Sequence, residues 1–272
     1  MKSYFLLLCI LSLSCLTHAQ EPMKIKDWER PYFKESFYDP SIFLIVYGEF
    51  EVDFEIDGIG YQMKGIPEGI DLMQNGPDSH PEVLKDFLSG YLWEELQEKN
   101  IGLAELFEQS SQGFIIRGTA KDTNTLNYFR DIVGLSTYLL DKGGIGIYDP
   151  LMFRFWSKGE WKQKVVEGHE PKPREHVMIL FSEEEGGTLW YHTRGMIKYG
   201  RPDLSVHGVK AEDEVAVQDL INRFIELQAF GGVIRDGQKI KMKTLPDGMW
   251  CENRGSFEDP DFNNKYVEIH WK

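Results

Sequence analysis

The densest collection of side chains able to do chemistry runs from Trp190 to Val209, WYHTRGMIKYGRPDLSVHGV. It holds His192, His207, Arg194, Arg201, Asp203, Trp190, Tyr191 and Tyr199, punctuated by three glycines and one proline. If Leu189 to Thr193 is extended, Trp190, His192 and Arg194 share one face, and Tyr191 and Thr193 share the other. If Leu204 to Val209 is extended, Ser205 and His207 point one way and Leu204 and Val206 the other. Pairing the two strands brings the imidazoles together, with Arg194, Arg201 and Asp203 nearby. Such a cluster can bind an anion or act as a His–Asp acid–base pair, because imidazole titrates near neutrality. It can equally hold a compact turn, since irregular backbone needs polar side chains to satisfy it. That structural use weighs most. The residues therefore stand as a binding set (His192, Arg194, Arg201, Asp203, His207), with no catalytic residue assigned.

Other reaction signatures are missing. His169 and His176 are seven apart with two prolines between them, and no HExxH, CxxC or tight His/Asp repeat occurs, so no metal site is expected. Gly143-Gly144 and Gly231-Gly232 follow helical patterns rather than precede them, which is the wrong order for a phosphate loop. No cofactor is expected. There is no G-x-S-x-G, and Ser157, after FRFW, has no base nearby in sequence. Phe153, Phe155, Trp156 and Trp161 form an aromatic group whose expected use is packing, ahead of a sugar or peptide platform.

The frame around these residues is that of a secreted protein. Lys2, the apolar run Phe5 to Leu13 and the small residues before Ala19 read as a signal peptide over 1–19, with export to a periplasmic or extracellular space. The run is too short for a membrane span. A minority reading is a lipoprotein anchored at Cys15. The chain carries 30 basic and 44 acidic residues, net −14; losing the leader removes Lys2 alone and leaves −15. That balance argues against nucleic acid and anionic membranes as partners. It leaves an unknown protein or small ligand. Cys251 is the one cysteine outside the leader, so no internal disulfide is expected, and an inert thiol is the simplest reading.

Periodicity supplies the elements. Ser41 to Tyr47 is a β-rich run, and Glu49 to Ile56 alternates acidic and apolar residues in the manner of a half-buried strand. Ile59 to Lys64 reads as its return strand. Three principal helices are expected, at about 80–99, 123–141 and 213–230, the first opened by a Ser79/Glu82 capping box. Strands are expected at 114–119, 145–148, 176–181, 187–193, 204–209, 233–234 and 240–242, with a last edge strand at 265–271. Val165 to Arg174, charged and proline-containing, reads as a boundary. The chain then divides into 20–168 and 169–272, and two helices ending at Gly-Gly before an aliphatic run suggest a duplicated, ferredoxin-like unit.

One resemblance accompanies these residues. The order helix, Gly-Gly, aliphatic strand, Asp-Pro, followed by Thr193-Arg194-Gly195-Met196 and Tyr199-Gly200-Arg201-Pro202-Asp203-Leu204 and then a long helix ending at Gly-Gly, resembles bacterial proteins grouped as domain of unknown function 4261. It spans roughly residues 41 to 245. It implies an α+β fold and assigns no activity or catalytic residue. The expectation is therefore an α+β protein with a twisted, mainly antiparallel sheet, exported, and binding a partner without transforming it. The alternative is a hydrolase or other acid–base enzyme using the His/Asp cluster of residues 192–207.

Overall fold

In a computed structural model the structure describes residues 24–36, 38–50, 56–77, 79–259 and 261–271. The leader, Cys15 and most of the alternating segment 49–56 lie outside them. Strand β1 (Ser41–Gly48) anchors the first sheet. It pairs antiparallel with β3 (Gln112–Thr119) on one side and β4 (Gly144–Asp149) on the other. Beyond them lie β2 (Ile70–Asn75) and β5 (Arg154–Ser157), giving the order β2-β3-β1-β4-β5. Both faces of β1 are covered, which explains why its sequence is continuously apolar rather than alternating. Leu44 and Val46 belong to one core with Phe114, Ile116 and Ile147. Ile45 and Tyr47 belong to another with Ile115 and Tyr148.

Helix α4 (Asn127–Asp141) packs on the first of these faces and is buried from Tyr128 to Leu140. Three short helices, α1 (Pro81–Asp86), α2 (Tyr91–Lys99) and α3 (Ile101–Gln109), cover the second through Leu84, Trp93, Leu103 and Phe107. After β5, Ser157 and Glu160 form a reciprocal capping box that starts the four-residue α5 (Lys158–Trp161). A single π turn, Lys162–Val166, continues from it. Trp156 and Trp161 are fully buried and the half-buried Phe155 packs against the second core, so three of the four aromatics serve packing, while Phe153 is half-buried outside both cores.

The second sheet contains β6 (Met178–Glu183), β7 (Leu189–Arg194), β8 (Asp203–Val209), β9 (Lys239–Ile240), β10 (Met249–Ser256) and β11 (Asn264–His270). Their order is β6-β7-β8-β11-β10-β9, with β8 and β11 parallel and every other pair antiparallel. Helix α6 (Glu214–Ala229) takes the inner face. Its Val217, Leu220, Ile221 and Ile225 join Leu204, Val206, Val267 and Ile269 in the cluster that also contains Leu44, Val46 and Leu135. One apolar core thus runs through both sheets. A fully buried ion pair, Lys198 with Asp149, ties the short 3-10 helix Met196–Tyr199 to the end of β4. Burial pushes the Asp149 carboxyl up and the Lys198 amine down; their mutual contact opposes both shifts.

The α+β class is as expected, with about equal helix and strand content. Several elements differ. Six α-helices replace three among the described residues. The expected helix at 80–99 breaks at Gly90, where φ is +77°, and Ser79 does not cap it: His80 occupies the N-cap without a side-chain bond. Asn100 opens α3 instead, accepting from the Leu103 amide at 3.2 Å. Residues 59–64 form turns rather than a strand, and 233–234 are not in a strand. The terminal strand is interior, since β11 lies between β8 and β10. Residues 165–166 belong to the π turn, and Val165 packs in the core. Nor do the two halves share a topology. Among the described residues neither has the β-α-β-β-α-β order of a ferredoxin-like unit. The two Gly-Gly endings have separate packing causes. A Cβ on Gly143 would fall 1.9 Å from the Glu49 carbonyl oxygen, and one on Gly231 would fall 2.5 Å from Phe33 Cα.

Candidate binding face on the second sheet

Strand alternation places one set of residues on the face opposite α6. On β7 these are Trp190, His192 and Arg194; on β8, Ser205 and His207. The register continues the set across the sheet. His192 lies opposite Ser205, Ser205 opposite Glu268, and Glu268 opposite Glu252. Trp250 lies opposite His270, and Arg254 opposite Tyr266. Inner-face residues are apolar or bonded internally: the Tyr191 hydroxyl donates to Glu214 of α6 at 2.9 Å and accepts from Gln218 at 3.2 Å, and the Thr193 hydroxyl bonds across to β8. The outer face therefore carries rings and charges where a helix would need apolar side chains.

Its centre is a stack of three rings. Trp190 stacks on His192 at 4.2 Å and on His207 at 5.0 Å between ring centres. The indole nitrogen donates to the Ser205 hydroxyl at 2.9 Å, which fixes the ring across β7 and β8. A second pair, Trp250 on His270 at 4.2 Å, repeats the theme at the far side. His207 Nδ1 meets Glu184 Oε1 at 2.7 Å, and His270 Nε2 meets Glu252 Oε2 at 2.8 Å. Phe262, from the β10–β11 connection, stands edge-on to both Trp190 and His192.

Two groups here lack partners. His192 Nδ1 and Arg194 Nε are buried, two residues apart on the same strand face, and neither makes a hydrogen bond. Arg194 is 8% exposed, and no ion pair or hydrogen bond engages its guanidinium among the described residues. It lies over the rings of Phe153, at 5.0 Å, and Phe262, at 5.8 Å. Phe153 itself is held at φ +57°, a costly conformation for a bulky residue. Burial, with Arg194 and His207 close by and Asp261 opposing, lowers the His192 imidazole to about 4. It is therefore neutral at physiological pH.

The five residues singled out by sequence thus separate into two groups. His192, Arg194 and His207 come together on the outer face. Arg201 and Asp203 are buried and bonded internally, although Asp203 shares the alternation of Ser205 and its charge acts on Arg194. Arg201 donates to Asp122 at 3.1 Å and to the carbonyls of Lys34, Gly200, Gly231 and Gly232 at 2.8 to 3.2 Å. Asp203 accepts from the Thr193 hydroxyl at 2.8 Å, the Met196 amide at 3.2 Å and Asn264 at 2.7 Å. Burial raises its carboxyl to about 6 against those bonds. No hydrogen bond joins Asp203 to either imidazole. Ser157, expected to lack a base, is a helix cap. Cys251 is buried and its thiol is pushed up to about 12.

The contributions of β10 and β11 were not singled out by sequence. Their signal is the alternation Trp250-Cys251-Glu252 and Tyr266-Val267-Glu268-Ile269-His270, polar or aromatic out and apolar in. Among the described residues no group of three or more His, Cys, Asp or Glu has metal-holding geometry, and no helix is long and apolar enough to cross a membrane. Comparisons with protein-family models, with curated proteins and with solved structures give no match.

Proposed function

We propose that this is an exported protein of a bacterial envelope that binds a protein or small ligand through the outer face of the second sheet and does not transform it. One observation carries the reading: a buried guanidinium nitrogen, Arg194 Nε, and a buried imidazole nitrogen, His192 Nδ1, stand two residues apart without hydrogen-bond partners, on a face built of rings and charges. Unpaired buried polar groups cost free energy, so their presence in a folded chain points to a partner that satisfies them. An acid–base reading needs a carboxylate orienting an imidazole at a reacting centre. Asp203 bonds elsewhere, and His192, its Nδ1 buried, bonds to no carboxylate among the described residues. The imidazoles that do meet one, His207 with Glu184 and His270 with Glu252, belong to surface ion pairs. The resemblance to domain of unknown function 4261 is compatible with binding and supplies no ligand.

The test is comparative capture. Full-length mature chain and the Trp190→Ala/Arg194→Gln variant are immobilised and exposed to envelope extract, and the retained proteins and small molecules are weighed by mass spectrometry. The expected result is at least one species held by the parent and lost from the variant. Identical sets on both columns would remove the reading.

A further inference from the structure

Arg201 has a second environment. It borders a cavity of about 390 Å³ between the N-terminal lead-in, the segment after α6 and the ends of β10 and β11. That size falls within the roughly 300–1,000 Å³ of small-molecule pockets. Four cations line it, Arg201, Arg235, Arg254 and Lys265, against two carboxylates, Glu35 and Asp236. In a chain of net charge −14 this is a local inversion of sign.

Behind the wall, Arg201 is held in place by a buried group that carries no further net charge. Arg30 and Arg201 both bond to Asp122, two guanidinium groups on one carboxylate, all three side chains at most 4% exposed. The other donors of Arg30 meet the carbonyls of Ala229, Thr123 and Tyr199. Carbonyl oxygens solvate a guanidinium without cancelling its charge. With Arg201 already counted in the wall, Arg30 and Asp122 cancel, so the cations of the wall itself set the local sign. On the cavity side, Arg254 is paired with Glu252. Arg235 and Lys265 have no ion pair among the described residues, and the Lys265 amine stands 4.7 Å from the centre of the Tyr38 ring. Tyr38, Tyr266, Val233 and Ile234 add apolar wall.

We infer that this cavity binds a small organic anion, its phosphate or carboxylate group on Arg235 and Lys265 and its ring or short apolar body against Tyr38 and Tyr266. The site adjoins the outer face of the second sheet through Arg254 and Tyr266, but its anion-holding pair, Arg235 and Lys265, is its own, and the inference does not rest on the reading of that face. The experiment is calorimetric titration of the full chain with phenyl phosphate, with benzoate and with neutral benzyl alcohol. The expected result is saturable binding of at least one anion, weakened by added salt, and none of benzyl alcohol; the preferred anion identifies the head group. Arg235→Gln/Lys265→Gln is expected to weaken that binding about tenfold or more with the thermal midpoint unchanged. Should the double variant melt early, Arg235→Glu, at an exposed and unpaired position, carries the comparison. No saturable heat with either anion, or unchanged affinity in the variant that keeps its fold, overturns the inference.

Discussion

Arg194 and Arg201 lie seven residues apart and have opposite energetic roles. Arg201 satisfies four backbone carbonyls and shares a carboxylate, so removing it leaves acceptors buried and Asp122 with one partner fewer. Arg201→Ala is expected to cost about 3–5 kcal/mol in urea unfolding, and Arg201→Lys most of that, because one amine cannot replace a planar fork of donors. Arg194 makes ring contacts and feels the charges of Asp203, Asp261 and Asp259 without a hydrogen bond or ion pair among the described residues, so Arg194→Gln should stay within about 1 kcal/mol of the parent. Equal losses at the two positions would mean that Arg194 is structural. His192 and Asp203 offer a second residue-scale test, because their shifts oppose each other. Asp203 is raised from 3.8 to about 6, so the fold holds its proton more tightly than the unfolded chain does; that stability is full below 3.8 and lost as pH rises through about 6. His192 is lowered from 6.5 to about 4, so its stability is full above 6.5 and lost as pH falls through about 4. The two slopes offset one another in the parent. Asp203→Asn should leave stability rising with pH across 4 to 6, and His192→Gln should leave it falling. Unfolding free energies at several pH values check both signs.

Elements were legible in the sequence where burial imposed one strong period. The run at 41–47, the helix within 123–141, the strand at 204–209 and the helix within 213–230 all lie close to where their apolar residues put them. Legibility failed where backbone geometry decided. Nothing in KQKVV announces a π turn, and a left-handed Gly90 divides one apolar face between two helices. The strands β10 and β11 read as polar turn and edge because half of their residues form the outer face, which carries charge where a solvent-free strand would not. So three of the five chosen site residues were found as neighbours, while the neighbouring strands that complete the face were not. Helix α4 carries a prediction of its own. Gly134 sits mid-helix beside a cavity of about 300 Å³ that the π turn also lines. In an exposed helix Gly→Ala gains about 1 kcal/mol. Here the new Cβ would fall 2.5 Å from the Tyr61 carbonyl oxygen and 2.9 Å from Met63 Cβ, both held by the fold. Gly134→Ala should therefore destabilise, by about 1–3 kcal/mol in chemical denaturation. A more stable variant would show that the 58–64 turn yields easily.

At the scale of the whole molecule, the question is whether two sheets of different topology unfold as one body. Three features join them: the shared apolar cluster, the Arg30–Asp122–Arg201 group and the Lys198–Asp149 pair. The last is the sharpest probe, because both side chains are fully buried, Asp149 ending a strand of the first sheet and Lys198 lying in a connection of the second. A buried pair adds little net stability over an apolar replacement, yet breaking it strands a charge. Lys198→Met should thus cost about 3–5 kcal/mol, and Lys198→Met/Asp149→Leu should recover much of that loss. The cost should reach both sheets. Trp156 and Trp161 report on the first, and Trp190 and Trp250 on the second. Variants keeping tryptophan in only one sheet should give unfolding curves with the same midpoint in the parent and the same shift in Lys198→Met. If only one set of tryptophans moves, the sheets are separate cooperative units, and a ligand on the outer face of the second would leave the stability of the first unchanged.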